Sequence, residues 1–306
     1  MYVNVRKVLA QNMGIRWMMV AAGLLAWAAG APASALPDPR EEKTLALQLA
    51  LARKGISPGV LDGLEGPRTT AALRAAGTNV VPPEDLWTTY TVTTNDLARL
   101  LPLGQTWLAK SQQERLDYET LLELVAEKAW SHTNLITRLN PGIDWTNVAP
   151  GTEIKVPKVE APSLRGKAAF VKIFLSEHII QAFDAETNLL AHFPCSVAAS
   201  MDKRPVGELH VEAMADNPNY TFNPEVFPES PEARQLGRKL LLPPGPNNPV
   251  GTVWIGLDRP GYGIHGTPRP EAVGRAETHG CFRLANWNAE LLVKLMEIGT
   301  RVYVEP

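Results

Sequence analysis

One stretch of the sequence, residues 262–284, contains the side chains that cysteine chemistry needs. It holds Cys281, with His279 two residues before it and His265 sixteen residues before it. A cysteine attacks as the thiolate, so an enzyme that uses one needs a neighbouring group to take the thiol proton. Glycines in the same stretch allow backbone N–H groups to approach a substrate carbonyl closely, as an oxyanion site requires. The stretch therefore predicts a nucleophilic cysteine with two candidate bases, and the alternative is a buried cysteine with two surface histidines in a glycine-rich loop.

A longer pattern around these residues favours the catalytic interpretation. The sequence reads I-H-G at residues 264–266, and after a short insert Thr278 precedes H-G-C-F-R at residues 279–283. This pattern resembles the signature of the L,D-transpeptidase catalytic domain, the YkuD family. Residues 243–251, P-P-G-P-N-N-P-V-G, resemble the segment before the catalytic strand in the periplasmic, ErfK/YbiS-like branch of that family.

The resemblance implies catalytic roles for three residues. It makes Cys281 the nucleophile and His265 the proton acceptor and later donor, with the backbone carbonyl of Gly266 orienting the His265 ring. Backbone N–H groups of Gly280 and Cys281 are the predicted oxyanion donors. No metal and no cofactor are implied.

A second set of residues is predicted to contact the substrate. For His279, positioning of the loop and contact with substrate are both open interpretations. For Arg283, a pair with a carboxylate of a diaminopimelate-containing substrate and a structural ion pair are both open. The predicted substrate-binding set is His279, Gly280, Thr278 and Arg283.

The reaction implied by the resemblance is acyl transfer on peptidoglycan stem tetrapeptides, through a thioester on Cys281 and with release of D-alanine. The acceptor is an amine of another stem, a lysine of an outer-membrane lipoprotein, or water, which would make the protein an L,D-carboxypeptidase. Two alternatives remain: a wall amidase or peptidase of the NlpC type, and a non-catalytic wall-binding protein. In the NlpC family the cysteine precedes the histidine, whereas both histidines come first here.

Length and charge limit the other function classes. A chain of 306 residues suggests about two domains. The formal net charge is -2, so the composition does not indicate nucleic acid or an anionic membrane surface as the main partner.

The amino terminus predicts export. Basic residues precede an apolar run at residues 17–30, and A-S-A at residues 33–35 fits a signal-peptide cleavage site after Ala35. An uncleaved anchor is the alternative. We therefore predict a periplasmic or cell-envelope protein, in which the cysteines Cys195 and Cys281 are expected to be free thiols rather than a disulfide.

Between the signal peptide and the cysteine motif, two segments resemble wall-binding modules. Residues 41–81 resemble the peptidoglycan-binding type 1 domain, and residues 117–159 resemble the LysM module, which in its family binds cell-wall glycan. Residues 82–116 form a predicted connector with one or two short helices. Helices are predicted at residues 44–53, 68–76 and 118–130, with a further helix that Ser131 caps and that runs to about Asn140.

The remaining residues, 164–306, predict the catalytic domain. From residue 168 the sequence consists of short alternating runs broken by Gly, Pro, Asn and Asp, which is typical of a mostly antiparallel β-sandwich or barrel. An amphipathic helix capped by an asparagine follows the motif, and a final strand ends the chain. The predicted fold class is α+β, with small helical and LysM-like modules before the catalytic domain.

Overall fold

The computed structural model describes residues 38–227 and 229–306, except the side chains of Ala276 and Glu277. The predicted signal peptide, residues 1–35, lies outside the described residues. All described residues belong to one compact unit. Within them, no helix is long and apolar enough to cross a membrane.

Two helices form the first part of this unit, α1 (Pro39–Arg53) and α2 (Pro67–Ala76). Helix α1 begins five residues before the predicted start, because Asp38 caps it by accepting from the N–H groups of Arg40 and Glu41 at 2.8 Å. Proline in the first turn has no N–H to leave unpaired, so Pro39 suits this position. Leu45 and Leu49 on α1 are buried and pack against the later helix that carries Leu135.

The middle of the chain forms a two-stranded sheet with four helices. Strand β1 pairs antiparallel with β2 along its whole length. The segment predicted as a connector thus contains a strand as well as two short helices. The helix predicted after Ser131 begins at Thr133, and its cap is His132, whose side chain accepts from the Asn134 N–H. The elements are β1 (Trp87–Thr91), α3 (Thr94–Ala98), α4 (Trp107–Ser111), α5 (Leu121–Lys128), α6 (Thr133–Leu139) and β2 (Glu153–Pro157).

The carboxyl-terminal half is built on strands of two to ten residues and two further helices. The strands are β3 (Phe170–Phe174), β4 (Ile179–Phe183), β5 (Leu189–Pro194), β6 (Val197–Ala198), β7 (Gly207–Asp216), β8 (Tyr220–Phe222), β9 (Leu240–Leu242), β10 (Val253–Leu257), β11 (Gly263–His265), β12 (Ala276–Thr278), β13 (Phe282–Arg283) and β14 (Arg301–Glu305). The helices are α7 (Pro231–Leu236) and α8 (Asn286–Leu295).

Eight of these strands make one sheet in the order β13-β11-β10-β7-β14-β3-β4-β5. Neighbours are antiparallel except at β11–β13 and β14–β3, which are parallel. The predicted fold class is therefore confirmed: an α+β protein with a mostly antiparallel, curled sheet. The main core lies between this sheet and α8, and it includes Ile264 and Phe282, both fully buried.

Helix α8 differs from the prediction at its start. The residue that caps it is Ala285, and Asn286 is already inside the first turn. The Asn286 side chain is fully buried and bonds to other segments rather than to its own helix.

Candidate active site

The parallel pair β11–β13 sets the positions of the predicted nucleophile and base. Its register places His265 opposite Arg283 and Ile264 opposite Phe282. Because successive side chains of a strand point to opposite faces, Ile264 and Phe282 enter the core while His265 and Arg283 share the other face. Each buried apolar side chain of this kind stabilises the fold by roughly 1.5–3 kcal/mol, so the pair anchors the register.

Cys281 directly precedes β13 and lies beside Gly263, whose backbone N–H bonds its sulfur. It is two positions from Arg283, so its side chain falls on the same face as His265, diagonally across the strand pair. The fold therefore brings Cys281, His265 and Arg283 together.

The protonation state of His265 follows from its contacts. Its Nδ1 lies 2.6 Å from the carbonyl oxygen of Gly266. A carbonyl can only accept, so Nδ1 carries the proton and Nε2 keeps a lone pair with which to act as a base. The imidazole is 4% exposed and stacks on the indole of Trp254 at 5.8 Å between ring centroids.

Burial keeps this imidazole neutral. Desolvation lowers the pKa of His265 to about 4; the bond to Gly266 opposes the shift and the charge of Arg283 adds to it. At neutral pH the ring is therefore a neutral base with its lone pair available.

Cys281 is also neutral at rest. Burial raises the pKa of the Cys281 thiol to about 11, against the lowering effects of the Gly263 N–H and of Arg283. The thiol lies 3.4 Å from the carbonyl oxygen of Gly261, to which it donates. The two groups are thus a neutral thiol and a neutral imidazole rather than a preformed ion pair.

The loop before the cysteine is held by Thr278. Its hydroxyl donates to the carbonyl of Cys281 at 2.7 Å and accepts from the N–H of Gly280 at 3.3 Å. Gly280 has a φ of 153°, and a Cβ at this position would lie 3.3 Å from the ring of Tyr262. The Gly280 N–H can serve as an oxyanion donor only by exchanging its long bond to Thr278 for one to the substrate.

His279 points toward a hairpin segment, residues 220–242, that comprises β8, α7 and β9. Its Nε2 lies 3.1 Å from a carboxylate oxygen of Glu229, and its ring meets that of Phe227 edge to face at 4.9 Å. His279 therefore contacts the hairpin segment through both Glu229 and Phe227.

The same hairpin segment places a tyrosine near the sulfur. Burial raises the pKa of Tyr220 to about 12, and the neighbouring Cys281 thiolate would raise it too. Trp107 of α4 packs against this segment and stacks on Phe222, with 4.4 Å between the ring centroids. Sequence reasoning missed Tyr220 and the segment; its only signal was the run of aromatic residues at 220, 222 and 227.

The second cysteine is separate from this chemistry. Cys195 is fully buried in the main core, where desolvation raises the pKa of its thiol far above the usual range. Both cysteines are free thiols in the structure. Among the described residues, no group of three His, Cys, Asp or Glu side chains could hold a metal ion.

The carboxyl-terminal part of the chain is similar to known proteins. Residues 168–304 match the model of the L,D-transpeptidase catalytic domain, YkuD. Bacillus licheniformis YkuD, a relative named as an L,D-transpeptidase, is 24% identical over 188 residues, which cover 61% of this chain and 94% of the relative. YqjB of Bacillus subtilis, also named as an L,D-transpeptidase, is 35% identical over 34% of this chain and 52% of its own length.

Solved structures give a looser match. L,D-transpeptidase 3 of Mycobacterium tuberculosis is 16% identical, with 52% of this chain and 77% of that chain covered and a TM-score of 0.36. An Enterococcus faecium L,D-transpeptidase has a TM-score of 0.34, with 45% of this chain and 50% of that chain covered at 15% identity.

Proposed function

From the match of residues 168–304 to the L,D-transpeptidase catalytic domain, we propose that this protein is an L,D-transpeptidase with Cys281 as nucleophile. The observation that carries the proposal is the parallel pairing of β11, which holds His265, with β13, which Cys281 directly precedes. The bond from Nδ1 to the Gly266 carbonyl leaves His265 Nε2 able to accept a proton. A cysteine and a neutral imidazole so arranged are the minimum for acyl transfer.

The proposed reaction begins on a stem tetrapeptide of peptidoglycan. The sulfur of Cys281 attacks the carbonyl before the terminal D-alanine while His265 Nε2 takes the thiol proton. The resulting oxyanion receives hydrogen bonds from the N–H groups of Gly280 and Cys281. As the C–N bond breaks, His265 returns the proton to the amine of D-alanine, which leaves, and a thioester remains.

An acceptor amine completes the reaction. Its nitrogen attacks the thioester and gives a proton to His265, and that proton returns to the sulfur as Cys281 leaves as the thiol. The amine of a second stem gives a cross-link, a lysine of a lipoprotein gives an attached protein, and water gives carboxypeptidase activity. Arg283, on the same face, is a proposed contact for a carboxylate of the stem.

The proposal includes the place of action. Stem peptides lie in the periplasm or cell envelope, and the signal-peptide pattern of residues 1–35 supports export to it. Wall binding by residues 41–81 and 117–159 is part of the same proposal, and its test is sedimentation of the protein with purified sacculi.

Covalent trapping tests the nucleophile. The mature protein, incubated with meropenem, should gain the mass of one ring-opened adduct by intact-mass spectrometry, because a carbapenem presents a strained carbonyl to Cys281. The Cys281→Ala variant should gain none, and Cys195→Ala, which removes the buried thiol, should react as the wild type does. No adduct on the wild type, or one that survives Cys281→Ala, would reject the proposal.

Defined muropeptides test the acceptor. A tetrapeptide donor with and without a second stem should release D-alanine, detected by chromatography, and yield a cross-linked product when the second stem is present. Tripeptide as the sole product would make the protein a carboxypeptidase instead.

A further inference from the structure

A buried asparagine supports the peptide group that orients the catalytic base. Asn286 Oδ1 accepts from the N–H of Thr252 at 3.3 Å. The same oxygen packs against the backbone of Gly266 so closely that a Cβ on Gly266 would lie 2.2 Å from it. The carbonyl of the same glycine lies 2.6 Å from His265 Nδ1, so Asn286 packs against the residue whose carbonyl determines the His265 tautomer.

The other side of this amide faces an acidic residue from a distant part of the chain. Asn286 Nδ2 lies 3.1 and 3.2 Å from the two carboxylate oxygens of Glu127 and 3.2 Å from the carbonyl of Pro246. These acceptors fix the amide in one orientation. If it turned over, Oδ1 would face the carboxylate, and Nδ2 would face the N–H of Thr252.

Glu127 lies on α5, outside the residues 168–304 that match the catalytic domain. The hydroxyl of Tyr118 donates to it at 3.2 Å. The Glu127 carboxylate is partly buried, and hydrogen bonds offset the cost of desolvating it, since both of its oxygens have partners. Desolvation raises the pKa of Glu127 to about 7; the hydrogen bonds from Asn286 and Tyr118 oppose this shift, and the charges of Glu290 and Glu123 add to it.

A second contact ties the same helix to the loop before β10. Asn247 Nδ2 donates to the Glu123 carboxylate at 2.5 Å and to the carbonyl of Asp117 at 3.0 Å. The N–H of Leu116 donates to the Pro244 carbonyl at 2.9 Å. The segment that contains α5 therefore holds both the loop before β10 and the asparagine under Gly266.

We infer that Glu127 is a positioning residue for His265, acting through the Asn286 amide and the Gly266 peptide. The inference rests on the proposed function only in naming His265 as the base. It makes α5 part of the active-site architecture, whatever the segment around it binds.

Two substitutions separate orientation from packing. Glu127→Met fills the site with an apolar side chain of similar length and removes the carboxylate acceptor, so that Asn286 Nδ2 keeps only the carbonyl of Pro246. Glu127→Gln keeps an acceptor oxygen for that amide and removes the charge. The matched control is Glu119→Ala, which removes an exposed carboxylate just before the same helix.

The first measurement is the rate constant of meropenem acylation, taken from the time course of adduct formation by intact-mass spectrometry. The unfolded fraction lowers the final amount of adduct but not the rate constant of the folded protein. Because a small displacement of a catalytic base lowers the reaction rate strongly, the Glu127→Met variant should be acylated about tenfold more slowly than the wild type, or slower still. Glu127→Gln should remain within about threefold of the wild type, and Glu119→Ala should equal it.

The second measurement is the tautomer of His265 by nitrogen NMR in the free protein. The wild type and Glu127→Gln should hold the proton on Nδ1, whereas Glu127→Met should populate both tautomers. Glu127→Ala, which leaves a cavity instead of filling it, replaces the Met variant should that one not fold.

The outcomes separate the inference from the proposed function. A Met variant that acylates at the wild-type rate and keeps the Nδ1 tautomer would overturn the positioning role while leaving the transpeptidase proposal intact. A wild type that is never acylated would reject the transpeptidase proposal, and the tautomer measurement would still decide the role of Glu127.

Discussion

At the scale of single residues, the site works with two neutral groups. Desolvation lowers the pKa of His265 to about 4 and raises that of Cys281 to about 11. Between these values neither carries a charge, so the proposed reaction requires proton transfer during attack rather than a standing thiolate.

The pH dependence of acylation follows from these values. Since only the neutral imidazole accepts a proton, the meropenem acylation rate should fall as the pH drops through about 4 and stay flat from about 6 to 9. His265→Ala should lose this acid limb and react slowly at a rate that rises toward pH 11, as free thiolate forms. The measurement is the loss of β-lactam absorbance between pH 3.5 and 10, with circular dichroism to verify folding; an acid limb near 6.5 would contradict a buried base.

The two cysteines should differ in reactivity. Cys195 is fully buried in the core and Cys281 is partly exposed, so iodoacetamide should alkylate the native protein once, at Cys281. Cys195→Ala should leave the acylation rate unchanged and lower the free energy of unfolding by about 1 kcal/mol through the small cavity it creates. Peptide mapping and urea unfolding provide the measurements, and native alkylation at Cys195 would contradict the burial.

The candidate site residues that could be predicted from the sequence lie close together in it. Alternation along two short strands is enough to put His265, Cys281 and Arg283 on one face, and all three stand within one motif. Glu127 and Tyr220 could not be found in this way, because their approach to the site depends on tertiary packing between segments far apart in the chain.

At the scale of elements, helix α2 supports the loop that leads into the motif. Arg68 on α2 donates to the carbonyl of Val273 at 2.8 Å, and its side chain lies against Gly274. Ser196 accepts from the N–H of Gly274 at 3.2 Å on the other side. The approach to Thr278 and Cys281 is therefore held from two directions.

Removing the arginine's bond should loosen this approach. Arg68→Met keeps the side-chain stem but not the donor, so we expect the acylation rate to fall by about threefold to tenfold with little loss of stability. Hydrogen exchange at Gly274 and Arg275 should be faster than in the wild type. Arg74→Met, at an exposed position of the same helix, is the control and should match the wild type; equal rates for both variants would show that α2 does not position the loop.

Strand β1 and the buried role of Asn286 were not predicted, and each has a physical reason for its weak or misleading sequence pattern. Strand β1 reads W-T-T-Y-T and is largely exposed, so its period-2 signal is faint until β2 pairs with it. Asn286 resembles a helix cap by type and place, yet its amide is used by Thr252 and Glu127 instead. A local rule thus failed at a residue that packs against Gly266 of the candidate site, and such exceptions are expected at functional sites.

At the scale of the whole molecule, hydrogen bonds connect the helical segments to the catalytic sheet. The N–H of Ser57 donates to the carbonyl of His192 at 2.8 Å, and Asn288 Nδ2 donates to the Ser57 hydroxyl at 3.0 Å. Trp130 stacks on Trp287 of α8 at 6.4 Å. The strand pattern was sufficient to predict the fold class, but no local pattern could predict these contacts, because each joins residues far apart in the chain.

This connectivity predicts how the protein unfolds. Freely tethered modules would melt independently of the catalytic domain, whereas segments that share buried contacts should melt with it. We expect one calorimetric transition, with equal van't Hoff and calorimetric enthalpies, for the chain from residue 36 onward. Asn288→Ala removes a buried hydrogen bond, worth about 1 kcal/mol, and should lower the midpoint of that single transition without splitting it. Two separated transitions in the wild type would mean that α1, α2 and α5 fold apart from the site, and Arg68 and Glu127 could then not position it.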